Sequence, residues 1–196
     1  MKTKKNIAIF ASGNGTNAEQ LILKSQANDL NFSIKLIITN NQNAGVLNIA
    51  HKYVVPCFYW TNKSISNHES LIVFLVDNKI DLIVLAGYLK KIAPELVAAF
   101  PNKIVNLHPA LLPKFGGKGM YGHHVHEAVL KANEKQSGIT IHYVDEQYDE
   151  GNIIAQFIFD IDEKESLDSL QKKIQTTEHS NFYKVIDDIC STLNNK

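Results

Sequence analysis

Residues 80–87 read IDLIVLAG, apolar at almost every position and without alternation. A strand with one wet face alternates polar and apolar residues, so an unalternating run fits a strand buried on both faces, as in the centre of a parallel sheet. Such a strand needs helices above and below it, and therefore a chain in which strands and helices alternate. The remaining patterns supply that alternation. NIAIFAS (6–12), FSIKLIITN (32–40), VPCFYW (55–60) and KIVNL (103–107) read as further strands. Helical spacing is found in AEQLILKSQA (18–27), in the stretch ending near Tyr53, and over 67–79, 125–133 and 166–191. SGITIHYVDE and NIIAQFIFDI read as a strand pair, the antiparallel element near the C-terminal part. The expected fold is α/β, a mostly parallel twisted sheet with helices on both faces, formed by residues 1–196 as a single Rossmann-like domain.

Composition narrows the function. Lysine plus arginine equals aspartate plus glutamate at 20 each, a balance without the basic excess of nucleic-acid binders. No apolar run approaches the ~20 residues of a membrane span, and the short run after MKTKK leads into a glycine turn rather than a cleavage site. A cytoplasmic protein is expected. Cys57 and Cys190 form no CxxC pair and read as small buried side chains. Arginine is absent, so any anion must be held by lysine, neutral donors or backbone amides, without a guanidinium fork.

Ligands of open α/β sheets bind beyond the carboxyl ends of the strands. Three polar clusters fall after strands: SGNGTN, NLHP and DEQYDEG. Gly13–Asn14–Gly15–Thr16–Asn17–Ala18 matches G-x-G-x-x-A between strand and helix, a turn whose amides suit a phosphate. The second strand ends in ITNNQN, without the acid that would hold a dinucleotide ribose, and no GK[ST] is present. A single phosphate on a small molecule fits better than NAD or ATP.

Residues 106–126, NLHPALLPKFGGKGMYGHHVH, hold four of the eight histidines. His123, His124 and His126 are spaced for no shared helical face, and no HExxH or cysteine pair supports a metal, so none is expected. They read as loop residues lining or covering a cleft. Asn106 and His108 share a face of one strand, an amide donor beside an imidazole, which suits an oxyanion. A carboxylate raising the imidazole's pKa would complete the set; Asp149 is a candidate, with Asp145 and Glu146 as competitors.

NLHPALLP resembles the N-[IL]-H-P-[AS]-L-L-P signature of folate-dependent formyltransferases. With SGNGTN and IQTTEH in the same order and spacing, the chain resembles the branch that formylates the amine of glycinamide ribonucleotide in purine synthesis. The resemblance runs end to end. Methionyl-tRNA formyltransferases carry a further C-terminal domain and lack this phosphate loop, and formyltetrahydrofolate hydrolases have an N-terminal regulatory domain for which residues 1–5 leave no room. The resemblance implies 10-formyltetrahydrofolate as co-substrate and small-molecule chemistry by a monomer or homodimer, with no metal, membrane or nucleic acid. It makes Asn106 the amide donor, His108 the general acid and Asp149 the carboxylate that tunes it. Gly15, Thr16 and Asn17 would grip the ribonucleotide phosphate, with Gln175 and Glu178 from the last helix. Those two read, on spacing alone, as an exposed helical face. Leu89, Lys90, Lys91 and Ile92 would hold the pterin end of the folate, bordered by Asp145, Glu146, Gln147 and Tyr148. The family often has arginine near position 64, where this chain has Ser64 beside Lys63, so folate-tail recognition falls to point charges. The alternatives are formyl transfer to another amine, such as an amino sugar nucleotide, or a non-catalytic nucleotide-binding module.

Overall fold

The computed structural model describes residues 3–27, 29–61 and 68–193. Seven strands form one sheet: β1 (Lys5–Phe10), β2 (Phe32–Thr39), β3 (Cys57–Tyr59), β4 (Leu82–Leu85), β5 (Ile104–His108), β6 (Gln136–Tyr143) and β7 (Ile153–Asp160). Their order is β3-β2-β1-β4-β5-β6-β7. The first five run parallel, and β6 and β7 add antiparallel at one edge, as expected from the strand pair. The described helices are α1 (Thr16–Ala27), α2 (Val46–Lys52), α3 (His68–Asp77), α4 (Pro94–Ala99), α5 (His123–Lys131) and α6 (Leu167–Thr192).

The unalternating strands are buried on both faces. Ile7, Ile9, Leu82, Val84, Val105 and Leu107 pack on one side with α1, α5 and α6. Ala8, Phe10, Ile83, Leu85 and Ile104 pack on the other with Leu71 and Leu75 of α3 and Leu96 of α4. Side chains alternate faces with period two, so each strand contributes to both cores. Each fully buried Ile or Leu removes enough apolar surface for about 1.5–3 kcal/mol, so a charge in place of Ile7, Ile9 or any residue of Leu82–Leu85 would be costly.

Strand order reverses between β1 and β4, and a crevice opens there. The loops leaving these two strands are stitched together: Ser12 N–H donates to the Gly87 carbonyl (3.0 Å), and Leu89 N–H to Ser12 Oγ (3.0 Å). Gly15 takes φ +76°, and a Cβ there would come within 2.7 Å of Val46, so glycine is required where the turn closes on α2. α6 begins at Ser166, whose side chain accepts from Ser169 N–H, an N-cap. No helix among the described residues is long and apolar enough to cross a membrane.

Candidate active site

A cleft of about 570 Å³ lies along the carboxyl ends of β1, β4 and β5. Its walls come from the start of α1, the β4–α4 loop, the end of β5, the loop after it, and α6. Thr16 and Asn17 line it, whereas Gly15 only shapes the turn beneath them. Leu89, Lys90, Lys91 and Ile92 line the β4 side. Asp145, Gln147, Tyr148 and Asp149 close the far side, and Lys91 Nζ sits 5.7 Å over the Tyr148 ring. Glu146 is exposed and is not part of the wall. Ser64 and Lys63 lie outside the described residues.

Gln175 and Glu178 both line the cleft. The reading of Glu178 as an exposed helical residue is corrected by its place in the row Leu170–Ile174–Glu178–Phe182, whose other members are buried. Glu178 Oε2 accepts from Asn17 Nδ2 at 2.9 Å, joining the glycine turn to α6. The residue keeps some surface, yet its carboxyl is enclosed, and burial pushes its pKa up to about 7. Asn17 Oδ1 is buried without a partner among the described residues.

Asn106 and His108 lie on one face of β5, as period two requires, and both line the cleft. His108 is only 3% exposed. Its Nε2 is 2.9 Å from the Phe115 carbonyl oxygen, which can only accept, so Nε2 carries a hydrogen. Its Nδ1 faces Asp149 Oδ2 at 3.6 Å. Asp149 also accepts from Gly117 N–H (2.9 Å, to Oδ2) and Asn106 Nδ2 (3.3 Å, to Oδ1). The Asp149 carboxyl lies below its ordinary value although burial works to raise it, and the Gly117 amide that donates to it favours the ionised form. The expectation that a carboxylate keeps His108 charged needs correction. Burial lowers the His108 pKa more than Asp149 and the Phe115 carbonyl raise it, so the resting imidazole is neutral near pH 7.

DEQYDEG reaches the cleft differently from the expected route. β6 is antiparallel to β5, so its carboxyl end lies away from those of β1 and β4. The segment doubles back, with Asp149 at φ +58°, a backbone state that Asp tolerates better than most residues. The three other histidines also differ from expectation. Gly122 at φ +55° starts a helix, so His123, His124 and His126 stand on α5 rather than on a loop. Only His126 is buried and lines the cleft, its pKa lowered by burial and by His108. His123 and His124 are exposed, and with Glu127 one turn on they bring ligand atoms within 4.8 Å, a shared face that spacing among the histidines alone did not show.

Sequence reasoning missed His142. It pairs directly with Asn106 across β5–β6, is 2% exposed, and its Nε2 lies 3.1 Å from Asn106 Nδ2. Thr140, paired with His108, accepts from Leu112 N–H and donates to the Ala110 carbonyl, tethering the loop after β5. The signal was a polar pair two apart in an apolar strand; its partner could be known only from the register.

A doubly wound sheet, with an amide, an imidazole and a carboxylate meeting beside an anion-type turn at its switch point, defines a protein of the α/β class. The chain belongs to the formyl transferase family, which matches residues 5–186. It is 36% identical over 192 residues to a chloroplastic phosphoribosylglycinamide formyltransferase of Arabidopsis thaliana, covering 95% of this chain and 66% of that one. It is 36% identical over 196 residues to the phosphoribosylglycinamide formyltransferase of Bacillus subtilis, covering 98% and 97%. The crystal structure of the Bacillus halodurans phosphoribosylglycinamide formyltransferase superposes with a TM-score of 0.88 at 37% identity, covering 97% of this chain and 98% of that one. The chain spans just under two thirds of the length of its plant relatives.

Proposed function

We propose that this chain transfers the formyl group of 10-formyltetrahydrofolate to the primary amine of glycinamide ribonucleotide, giving the N2-formyl product and tetrahydrofolate in purine biosynthesis. The observation that carries the reading is the meeting of Asn106, His108 and Asp149 in a cleft that also holds Thr16, Asn17 and Glu178. The glycine turn and α6 take the ribonucleotide; the β4–α4 loop and residues 145–148 take the folate.

The neutral amine attacks the formyl carbon, and charge develops on the formyl oxygen. Asn106 donates to that oxygen. The proton leaving the amine goes, directly or through one water, to His108 Nδ1, the ring nitrogen without a hydrogen. The resulting imidazolium keeps Nε2–H on the Phe115 carbonyl and faces the Asp149 carboxylate with Nδ1–H. It then acts as the general acid, returning the proton to the folate nitrogen as the carbon–nitrogen bond breaks. The nucleophile belongs to the substrate, so neither a covalent intermediate nor a metal is required. The protein works in the cytoplasm on small molecules, as a monomer or homodimer.

The test is formyl transfer to glycinamide ribonucleotide with 10-formyltetrahydrofolate, with an amino sugar nucleotide as control acceptor. Turnover of the first and not the second is the expected result; the reverse would move the chain to another branch of the family.

A further inference from the structure

Asn106 can meet a developing oxyanion only with an amide hydrogen that is free or weakly held. Its Nδ2 lies 3.3 Å from Asp149 Oδ1 and 3.1 Å from His142 Nε2. A carboxylate oxygen only accepts, so the Asp149 contact decides which end of the amide points this way. An amide nitrogen only donates, so His142 Nε2 is an acceptor and carries no hydrogen. The other ring nitrogen, Nδ1, is 2.8 Å from the Tyr143 carbonyl oxygen and must carry one. Both constraints select the same tautomer, neutral and protonated at Nδ1.

The two acceptors are 3.6 Å from each other, too far for a hydrogen bond between them. They subtend roughly 70° at Asn106 Nδ2, well short of the roughly 120° between the N–H bonds of a planar amide. Each can therefore take one N–H with the bond roughly 25° off line, and the Asp149 contact, at 3.3 Å, is the longer and weaker of the two. The N–H resting on Asp149 is the one that a ligand oxygen in the cleft can draw away.

We infer that His142 is a positioning residue: its unprotonated Nε2 holds one N–H of Asn106 and so keeps the other, resting on Asp149 Oδ1, in place for the reacting formyl oxygen. This rests on the reading of Asn106 as the oxyanion donor. A proton on Nε2 would set donor against donor and turn the ring toward Asp149, releasing the Asn106 amide. The titratable groups facing His142 are Asp149, from the segment after β6, and His108, from β5.

Two measurements test it. Nitrogen-15 NMR of histidine-labelled protein, with His142 assigned from the His142→Gln spectrum, should show Nδ1 protonated and Nε2 bare at neutral pH. In the formyl-transfer assay, His142→Phe should lower kcat roughly ten- to a hundredfold, less than loss of a whole oxyanion donor, with both KM values within about twofold. His142→Gln, whose side-chain oxygen can accept the same N–H, should recover about tenfold in kcat over the phenylalanine variant. An Nε2-protonated or doubly protonated ring, or a glutamine variant no better than phenylalanine, would overturn the proposal. The NMR result stands without turnover, so an inactive wild type would sink the proposed function and leave this test intact.

Discussion

Asp149→Asn removes a charge beside His108 at nearly constant volume, and it suits the backbone, because Asn also tolerates the positive φ of this position. Asp149 Oδ2 and His108 Nδ1 are 3.6 Å apart, with the side chains 12% and 3% exposed, so water screens the pair little. Two unit charges at that distance interact by roughly 4–5 kcal/mol at an effective dielectric near 20. The asparagine dipole and local rearrangement return part of this, leaving a net loss of roughly 2–4 kcal/mol when His108 is charged. The sign follows from the carboxylate's preference for imidazolium. Burial already lowers the His108 pKa, Asp149 partly offsets that, and its removal lets the pKa fall further. The imidazolium formed during transfer loses the same support, so kcat/KM should fall roughly 30- to 10³-fold. One amide oxygen must also replace two carboxylate oxygens toward Gly117 N–H and Asn106 Nδ2. His108 is titrated by NMR in both proteins beside formyl-transfer kinetics, with circular dichroism as the folding control. A His108 titration at the same pH in both, with kcat/KM within about threefold, would refute the reasoning and turn attention to Asp145.

Three further outcomes are expected. Exhaustive chelation should leave formyl transfer intact, because His123, His124 and Glu127 are exposed while the proton is handled by His108; a loss restored by zinc would contradict this. Lys90 and Lys91 line the cleft in a chain without arginine, so the folate KM should rise several-fold from low to high ionic strength as exposed charges are screened. Lys91→Ala should flatten that dependence, and a KM indifferent to salt in the parent protein would show that neutral groups hold the tail. Glu178 is raised by burial from 4.5 to about 7, so the folded state binds this proton more tightly and stability declines as pH climbs through that window. Glu178→Gln should therefore gain about 1–3 kcal/mol over the parent protein in denaturation at pH 8 and little at pH 5; equal gains at both pH values would mean the carboxyl is not strained by ionisation.

What could be read from the chain depended on how local its cause was. Leu82–Leu85 announced a two-face buried strand because helices cover both faces of that strand, and hydrophobicity records that directly. Asn106 and His108 were placed correctly on one face because two residues in one strand need only the period of two. Pro94–Ala99 went unread as a helix: six residues carry under two turns of pattern, and the signal was a proline at the first helical position. On spacing alone Glu178 read as exposed although the row 170–174–178–182 was visible, because an acid in an apolar row normally argues against burial; the resemblance set it among the substrate contacts, and the Asn17 amide on α1 is its partner in the cleft wall. His142 depended on the β5–β6 register, a non-local quantity, and one residue of slip would have turned it to the opposite face.

The antiparallel edge explains why the acid can reach the imidazole at all. A parallel neighbour of β5 would need a long crossover before its first residue lay beside His108. β6 instead arrives from α5, sets Thr140 across from His108 and His142 across from Asn106, and then leaves the sheet only a few residues before Asp149. The turn that returns the chain to β7 is pressed close: a Cβ at Gly151 would collide with the Tyr143 carbonyl, and Asp149 holds a positive φ. That tight return swings the carboxylate back over β5, where Gly117 N–H and Asn106 Nδ2 fix its two oxygens. Gly116 completes the fit, since a side chain there would strike Leu112 at 2.6 Å and crowd the Asp149 Cβ at 3.2 Å. Loop, strand pair and return therefore act on the same carboxylate. An insertion that lengthens the 144–152 segment should uncouple His108 from Asp149 without touching either residue.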